Sequence, residues 1–473
     1  MIKIYNTLSR SKEEFKPIKE GEVSFYQCGP TVYWVQHLGN MRAAMMGDII
    51  RRTFIYNGFK VKYCTNYTDV GHLTGDNVGD ADTGEDRMEK AVKREGGSPD
   101  EIAQKYIDLY EKHKKALNVL EPDFKPRATE VIPEIIDMVK TLLEKGFAYK
   151  TDLAVYFDVL KFPNYNQLNR QKIEENEAGA GTGEVSDPQK KNAVDFALWF
   201  FRAGAHKNAI QYWPSPFHSK LVENGDGFPG WHIECSAMVK KFLGLTIDIH
   251  MGGIEHVSIH HTNEIAQSES ANGVKYVDYW MHNEHMLVDN GRMSKSQGTG
   301  YSLDEVIEKG YEPMDVRYLM LQTHYRSKQN FTWEGLDAAR NGLESIKNKI
   351  KLLGTEKGSV SEKFVEEFRD KLNDDFNTPQ ALAVLQEVLK SDISNADKLA
   401  TVLDLDKVLG LKLDEVKSET IEIPEEIIKL AEDRKTAKLE KNFELADSLR
   451  AKINEAGYEV EDLPEGNYKI IKK

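Results

Sequence analysis

Two short segments far apart in the chain, His37-Leu38-Gly39-Asn40 and Arg292-Met293-Ser294-Lys295-Ser296, constrain the fold more than any other feature. The first follows apolar runs, Val23 to Tyr26 and Gly29 to Val32, and opens a helix-like stretch from Met41 to Ile55. A helix start offers unpaired N–H groups and a positive dipole end to phosphate. Gly39, without a side chain, allows a base or ribose to approach the backbone. His37 supplies a donor, and Lys295, flanked by small hydroxyl residues, supplies a mobile positive charge from the other segment. Each segment alone is a short motif with a high false-positive rate, a helix start or a solvated loop. Together, separated by a long insertion, they predict a split nucleotide-binding fold.

A third constellation carries metal chemistry. Cys28 sits at the end of the strand-like run before the first motif, in Tyr26-Gln27-Cys28-Gly29-Pro30-Thr31, and Cys235 lies in Gly230-Trp231-His232-Ile233-Glu234-Cys235-Ser236. His260 and Glu264 are four apart, so on a helix they share a face. Two thiolates, an imidazole and a carboxylate form a plausible zinc shell. Spacing leaves the ligands open, because His256 and His260 are also four apart. Isolated cysteines are more often buried apolar residues than ligands.

The first two segments resemble the "HIGH" and "KMSKS" motifs of class I aminoacyl-tRNA synthetases. With the cysteine and histidine segments, the pattern resembles the cysteinyl-tRNA synthetase family. The likeness spans nearly the whole chain, through Asn66-Tyr67-Thr68-Asp69, Pro126-Arg127-Ala128-Thr129, Asp195-Phe196-Ala197-Leu198-Trp199, His324-Tyr325-Arg326-Ser327 and Asp374-Asp375-Phe376-Asn377-Thr378-Pro379. This resemblance implies one zinc per chain on Cys28, Cys235, His260 and Glu264, with His256 outside the shell. It implies phosphate contacts from His37, Asn40 and Lys295, and nucleotide contacts from Gly39, Gly252 and Gly253. It places Gly29, Thr68 and Trp231 beside the amino acid; the plain alternatives for the latter two are a capping hydroxyl and a core aromatic. Asn40 stands for the motif's last His and keeps a donor, while Arg292 stands for its first Lys with a planar fork instead of an ammonium.

The implied activity joins L-cysteine to tRNA(Cys) through a cysteinyl-adenylate, with ATP and Mg2+. Zinc selects the substrate thiolate, which serine lacks, so no editing domain is needed. The implied architecture is α/β. A Rossmann-like catalytic domain (residues 1–85 and 226–290) is split by a connective insertion (86–225). A stem-contact region with the KMSKS-like loop (291–345), a helical bundle (346–415) and a C-terminal anticodon-binding domain (416–473) follow. Two rivals share features: a ligase passing cysteine to a small amine, as in the mycothiol pathway, and a non-enzymatic zinc protein of the same fold. The helical tail and Tyr468, which suits base stacking, favour tRNA over the first; intact His37, Lys295 and Ser296 speak against the second.

Composition sets the remaining bounds. A chain of 473 residues suggests two to four domains. No apolar run is long enough to span a bilayer, and Met1 to Phe15 lacks the apolar core of a secretory signal. Three cysteines do not make a disulfide framework, and with two on zinc only Cys64 remains, consistent with a reducing cytoplasm. A monomer is expected. The net charge of −14 argues weakly against nucleic acid, so local basic patches must carry tRNA binding. Lys347 to Lys351 and the series Arg434, Lys435, Lys438 and Lys441 are candidates, with salt-bridged helix faces the equal alternative.

Strand-like runs at Ile2 to Tyr5, Val23 to Tyr26 and Val61 to Asn66 alternate with helical stretches, which predicts a parallel sheet. Helix is expected from about Asp86 to Lys145, a flexible loop at Ala178 to Gly183, and further strands at Leu245 to His250, Tyr279-Trp280 and His285 to Val288. From Trp333 onward the chain reads almost wholly helical, with linkers at Gly354 to Ser361 and Val416 to Pro424. After Asp69 the commonest family pattern enters a basic helix directly, whereas this chain inserts Gly71-His72-Leu73-Thr74-Gly75-Asp76 and a stretch to Asp86. Calcium is rejected, since neither Asp76 nor Asp80 as first ligand puts a Glu at position twelve. A mobile acidic loop at the site's mouth is the expectation.

Overall fold

A computed structural model describes residues 1–73, 85–171, 187–293, 298–356, 358–417, 424–462 and 468–472. Lys295 and the Ala178 to Gly183 run lie outside the described residues. The chain forms two compact units: Met1–Lys349 with Lys357–Glu415, and Ile350–Glu356 with Val416–Lys473.

The first unit is organised by four parallel strands. After β1 (Lys3–Asn6) and β2 (Ser11–Glu14) come β3 (Glu22–Gln27), helix α1 (Leu38–Tyr56) and β4 (Lys60–Thr65). The later pair of sheet strands is Ile247–Gly253 and Val277–Asn283, joined by the helix His260–Asn272. Across the sheet the order is Val277–Asn283, Ile247–Gly253, β3, β4. All neighbours are parallel, with Tyr26 opposite both Cys64 and His250. Phe25, Tyr26, Ile247, Ile249 and Trp280 are buried, as strands covered by helices on both faces require. The connection from β3 runs one way and that from Ile247–Gly253 the other. The strand order therefore reverses between these two, and ligands of open α/β sheets bind in the crevice beyond such a point.

The segment Ile2 to Tyr5 departs from expectation. It does not join the parallel sheet; β1 pairs antiparallel with β2, whose sequence Ser-Lys-Glu-Glu is mostly exposed. Asn6 anchors this ribbon against the sheet, its Nδ2 donating to Asp278 O at 2.9 Å.

The excursion between the sheet halves contains helices α2 (Arg87–Glu95), α3 (Pro99–Ala116) and α4 (Ile132–Glu144), then a four-stranded antiparallel sheet. That sheet is built on Phe196–Phe201, buried at every position, and its last strand reaches Gly227–Pro229. Helices Glu362–Asn373, Thr378–Lys390 and Asn395–Leu409 follow later in the same unit. Arg317, fully buried, joins α1 to this part: it pairs with Asp48 at 2.8 Å and donates to Leu409 O at 2.7 Å.

In the second unit, helices Glu425–Leu439 and Phe443–Glu455 pack with an antiparallel hairpin, Tyr458–Asp462 on Tyr468–Lys472. The hairpin corrects the almost wholly helical expectation. Its strands alternate, so Tyr458 and Val460 face a small core with Ile427, Ala431 and Ile453. Tyr468 is half-buried against that core, with Lys435 Nζ 6.0 Å from its ring centroid, and not a free stacking platform. Arg434 grips Asp462 with two bonds of 2.8 and 2.9 Å, and Lys438 adds a third at 2.7 Å. The salt-bridged alternative holds for those two positions.

Candidate metal centre and nucleotide cavity

The C-terminal ends of the central strands place the cysteine and histidine side chains. Cys28 follows β3 directly, its N–H donating to Met251 O at 3.0 Å. On the sheet face two residues beyond Tyr26 and His250 lie Cys28 and Gly252, and His282 sits opposite Gly252. Gly252 has a packing reason to be glycine. A side-chain carbon there would lie 2.5 Å from His256 Nδ1 and 2.6 Å from His261 Cε1, so its absence lets both rings in.

From the helix His260–Asn272 come His260, His261 and Glu264; from the helix Trp231–Phe242 comes Cys235. Cys28 Sγ is 3.9 Å from Cys235 Sγ and 3.8 Å from Glu264 Oε1, and His260 Nε2 is 3.0 Å from Glu264 Oε1. The donor atoms of Cys28, Cys235, His260 and Glu264 all lie within 4.8 Å of one another. A second set, Cys28, His250, His261 and Glu264, meets the same limit. Access separates them. Cys28, Cys235 and His260 line the cavity described below, whereas His250 and His261 are fully buried and do not.

The donor chemistry fits a divalent cation. Burial pushes the Cys28 thiol and the Glu264 carboxyl well up and the His260 imidazole well down, each toward its neutral form. A thiol and a carboxyl disfavoured as anions by burial, beside an imidazole kept neutral, are what a bound cation reconciles. Partners beyond the donors fix their orientation. Tyr276 Oη donates to Glu264 Oε2 at 3.0 Å, His232 Nδ1 lies 3.0 Å from His260 Nδ1, and His282 Nε2 lies 2.8 Å from His261 Nδ1. His256 belongs to neither donor set; its ring is half-buried, 5.0 Å from that of His260.

His37 caps α1, its Nδ1 accepting from the Asn40 N–H at 3.4 Å. Leu38 N donates to Tyr301 O at 2.8 Å, and His37 bridges to Ser302, which brings the first motif against the chain that follows the second. A side-chain carbon on Gly39 would lie 3.7 Å from Met293 Sδ. Arg42, fully buried one turn into α1, fixes the helix by donating to Glu284 O, His324 O and Ser327 O at 2.6, 3.0 and 2.9 Å.

A cavity of about 810 Å³ joins these parts. It is lined by His37, Gly39, Asn40, Met293 and Gly253, by Cys28, Cys235 and His260, and by Gly29, Thr68 and Trp231. Gly252 does not line it. Gly29 is held by its N–H to Asn66 Oδ1 at 2.9 Å, and a side-chain carbon there would lie 1.7 Å from Asn66 O. Asn66 Nδ2 donates to Thr68 Oγ1 at 3.1 Å, and Thr68 Oγ1 donates to Glu234 Oε2 at 3.2 Å. Trp231 stacks on His260, centroids 4.2 Å apart.

Gly71 to Leu73, expected in a mobile acidic loop, are buried, and Leu73 reaches the core. The rest of that stretch, residues 74–84, lies outside the described residues. His72 lines the cavity, as do Arg87 and Lys114, none of which the sequence had marked.

Comparisons with known proteins agree with this layout. A model of the class I (C) tRNA synthetase catalytic domain matches residues 14–341, and a DALR domain model matches residues 367–414. Curated relatives are similar over nearly full length. A cysteine–tRNA ligase of Treponema denticola is 40% identical, covering 98% of each chain. Cysteine–tRNA ligase 1 of Burkholderia lata is 41% identical, covering 98% of this chain and 96% of its own. Among solved structures, Mycobacterium tuberculosis methionyl-tRNA synthetase in complex with methionyl-adenylate superposes with a TM-score of 0.56 at 12% identity, covering 82% of this chain and 90% of that one. That likeness speaks to the fold.

Proposed function

The chain belongs to the cysteine–tRNA ligase family of class I synthetases, and we propose that its cavity activates L-cysteine with ATP and passes the cysteinyl group to tRNA(Cys). One observation carries this reading: Cys28, Cys235 and His260, whose donor atoms cluster with that of Glu264, line the same cavity as His37, Gly39 and Asn40.

In the first step the cysteine carboxylate oxygen bonds to the α-phosphorus of ATP, the bond to the bridging oxygen breaks, and pyrophosphate leaves. In the second, a ribose hydroxyl at the 3′ end of tRNA takes the acyl group and AMP leaves. Positioning and charge stabilisation dominate such phosphoryl chemistry. The N–H groups opening α1, with His37 and Asn40, bind the phosphates, and Mg2+ accompanies the nucleotide. Gly253 admits adenosine. Lys295, outside the described residues, is assigned the mobile positive charge on sequence grounds alone. Gly29 and Thr68 seat the backbone of the amino acid, and Trp231 closes over it.

Cys28, Cys235, His260 and Glu264 would hold zinc, whose chemistry is a Lewis-acid seat for a thiolate and a poor one for the neutral hydroxyl of serine. A site built around one required interaction rejects an analogue lacking it by roughly ten-thousandfold or more. Residues 416–473 are proposed to bind the anticodon.

The test has two stages: cysteine-dependent ATP–pyrophosphate exchange against serine, then transfer to tRNA(Cys) against transfer to an aminosugar. Exchange with cysteine alone and transfer to tRNA are expected. Exchange with serine, or transfer only to the amine, would overturn the reading.

A further inference from the structure

His72 lies in the buried run Gly71 to Leu73 that follows Asp69, and it is 5% exposed in the cavity wall. Two contacts fix its ring. Its Nδ1 lies 2.5 Å from Thr31 Oγ1, and its plane stacks on Trp231 at 4.2 Å and 9°. Its other nitrogen, Nε2, is buried and has no hydrogen-bond partner among the described residues. An unpaired buried polar atom costs free energy, so a ring held this firmly with one nitrogen unserved points to a ligand group that serves it.

The neighbouring hydroxyl narrows what that group is. Thr31 bridges to Thr68, and both line the cavity with His72. Thr68 Oγ1 spends its one hydrogen on Glu234 Oε2 and one lone pair on Asn66 Nδ2. A hydroxyl has one hydrogen and two lone pairs. Thr68 therefore presents an acceptor to the cavity, and a ligand group meeting it must donate. His72 presents a second acceptor at Nε2 when Nδ1–H donates to Thr31 Oγ1. Two acceptors suit an ammonium with several N–H bonds and repel a carboxylate.

We propose that His72 determines recognition of the amino-acid backbone, its Nε2 accepting a hydrogen bond from the substrate's α-ammonium group. This rests on the reading of the cavity as a cysteine site. His72 would then be a specificity residue, and its stacking would hold Trp231 over His260.

Calorimetric binding of three thiols to the full-length, zinc-loaded protein tests it: cysteine, 3-mercaptopropionate, which lacks the ammonium, and cysteamine, which lacks the carboxylate. His72→Phe keeps the stacked ring and loses the acceptor. It should weaken cysteine and cysteamine roughly tenfold to hundredfold, the range of a hydrogen bond to a charged group. Binding of 3-mercaptopropionate should be unchanged, and so should zinc content by metal analysis. His72→Gln, which restores an acceptor without the ring, should recover part of the loss. Equal weakening of all three thiols would make His72 a packing residue. Weakening of 3-mercaptopropionate alone would make it a carboxylate contact, and no weakening at all would remove it from the site; each result overturns the proposal. Failure of the wild type to bind any of the thiols would instead overturn the cysteine reading itself.

Discussion

Tyr276→Phe deletes one hydroxyl and should loosen the metal while leaving the fold intact. Tyr276 is 1% exposed, and its Oη donates to Glu264 Oε2 at 3.0 Å. The other oxygen of that carboxylate, Oε1, is the one turned toward His260 Nε2 at 3.0 Å and Cys28 Sγ at 3.8 Å. The hydroxyl thus selects which oxygen enters the donor set. Phenylalanine keeps the ring contacts with His250 and Trp280, at centroid distances of 5.8 and 6.0 Å, so the packing loss is one oxygen atom. A hydrogen bond to a charged acceptor contributes about 1.5–3 kcal/mol. At about 1.4 kcal/mol per decade, zinc affinity should fall roughly tenfold to hundredfold, the usual scale for partners of metal ligands. Competition against a chromophoric chelator measures this directly. An affinity unchanged from wild type would refute the orienting role. Zinc loss accompanied by a collapsed melting transition would show that the hydroxyl supports the fold instead.

Three further outcomes are expected. On the role proposed for it, in which its charge acts chiefly in the transition state, Lys295→Ala should slow adenylate formation far more than it weakens cysteine binding; pre-steady-state kinetics check this. Asp86 caps α2 through Met88 N–H at 2.7 Å and Glu89 N–H at 3.1 Å, yet burial, outweighing those bonds, pushes its carboxyl from 3.8 up to about 7. A folded-state pKa above the unfolded one contributes stability in full at low pH and loses it as pH rises through the folded value. The wild type should therefore lose about 4 kcal/mol on this account between about pH 4 and pH 8, at about 1.4 kcal/mol per unit. Asp86→Asn, an equal cap, should be favoured over wild type more at about pH 8 than at about pH 5 in denaturant titrations. Removal of residues 416–473 should leave cysteine-dependent pyrophosphate exchange largely intact and impair tRNA charging, compared by initial rates.

The parallel sheet was legible because its strands are short apolar runs set between helical stretches; the donor set was not legible from spacing, which left His256 open beside His260 and Glu264, and came from the family resemblance. Other features rest on long-range packing. Ser-Lys-Glu-Glu at β2 reads as a polar turn, and only its partner β1 makes it a strand. His72 sits in an acidic, glycine-rich stretch that reads as loop; Trp231, far along the chain, and Thr31 bury it. Arg434 and Lys438 read as a basic helix face until the final hairpin brings Asp462 beside them. Gly252 reads as room for a nucleotide, yet its missing side chain makes space for His256 and His261.

Cobalt substitution tests the central claim that substrate sulfur joins the Cys28, Cys235, His260 and Glu264 set. Cobalt-loaded protein titrated with cysteine should gain intensity in its thiolate-to-metal charge-transfer absorption at one equivalent, and serine should leave the spectrum unchanged. A spectrum indifferent to cysteine, in protein that still activates it, would show that the metal does not read the substrate thiol.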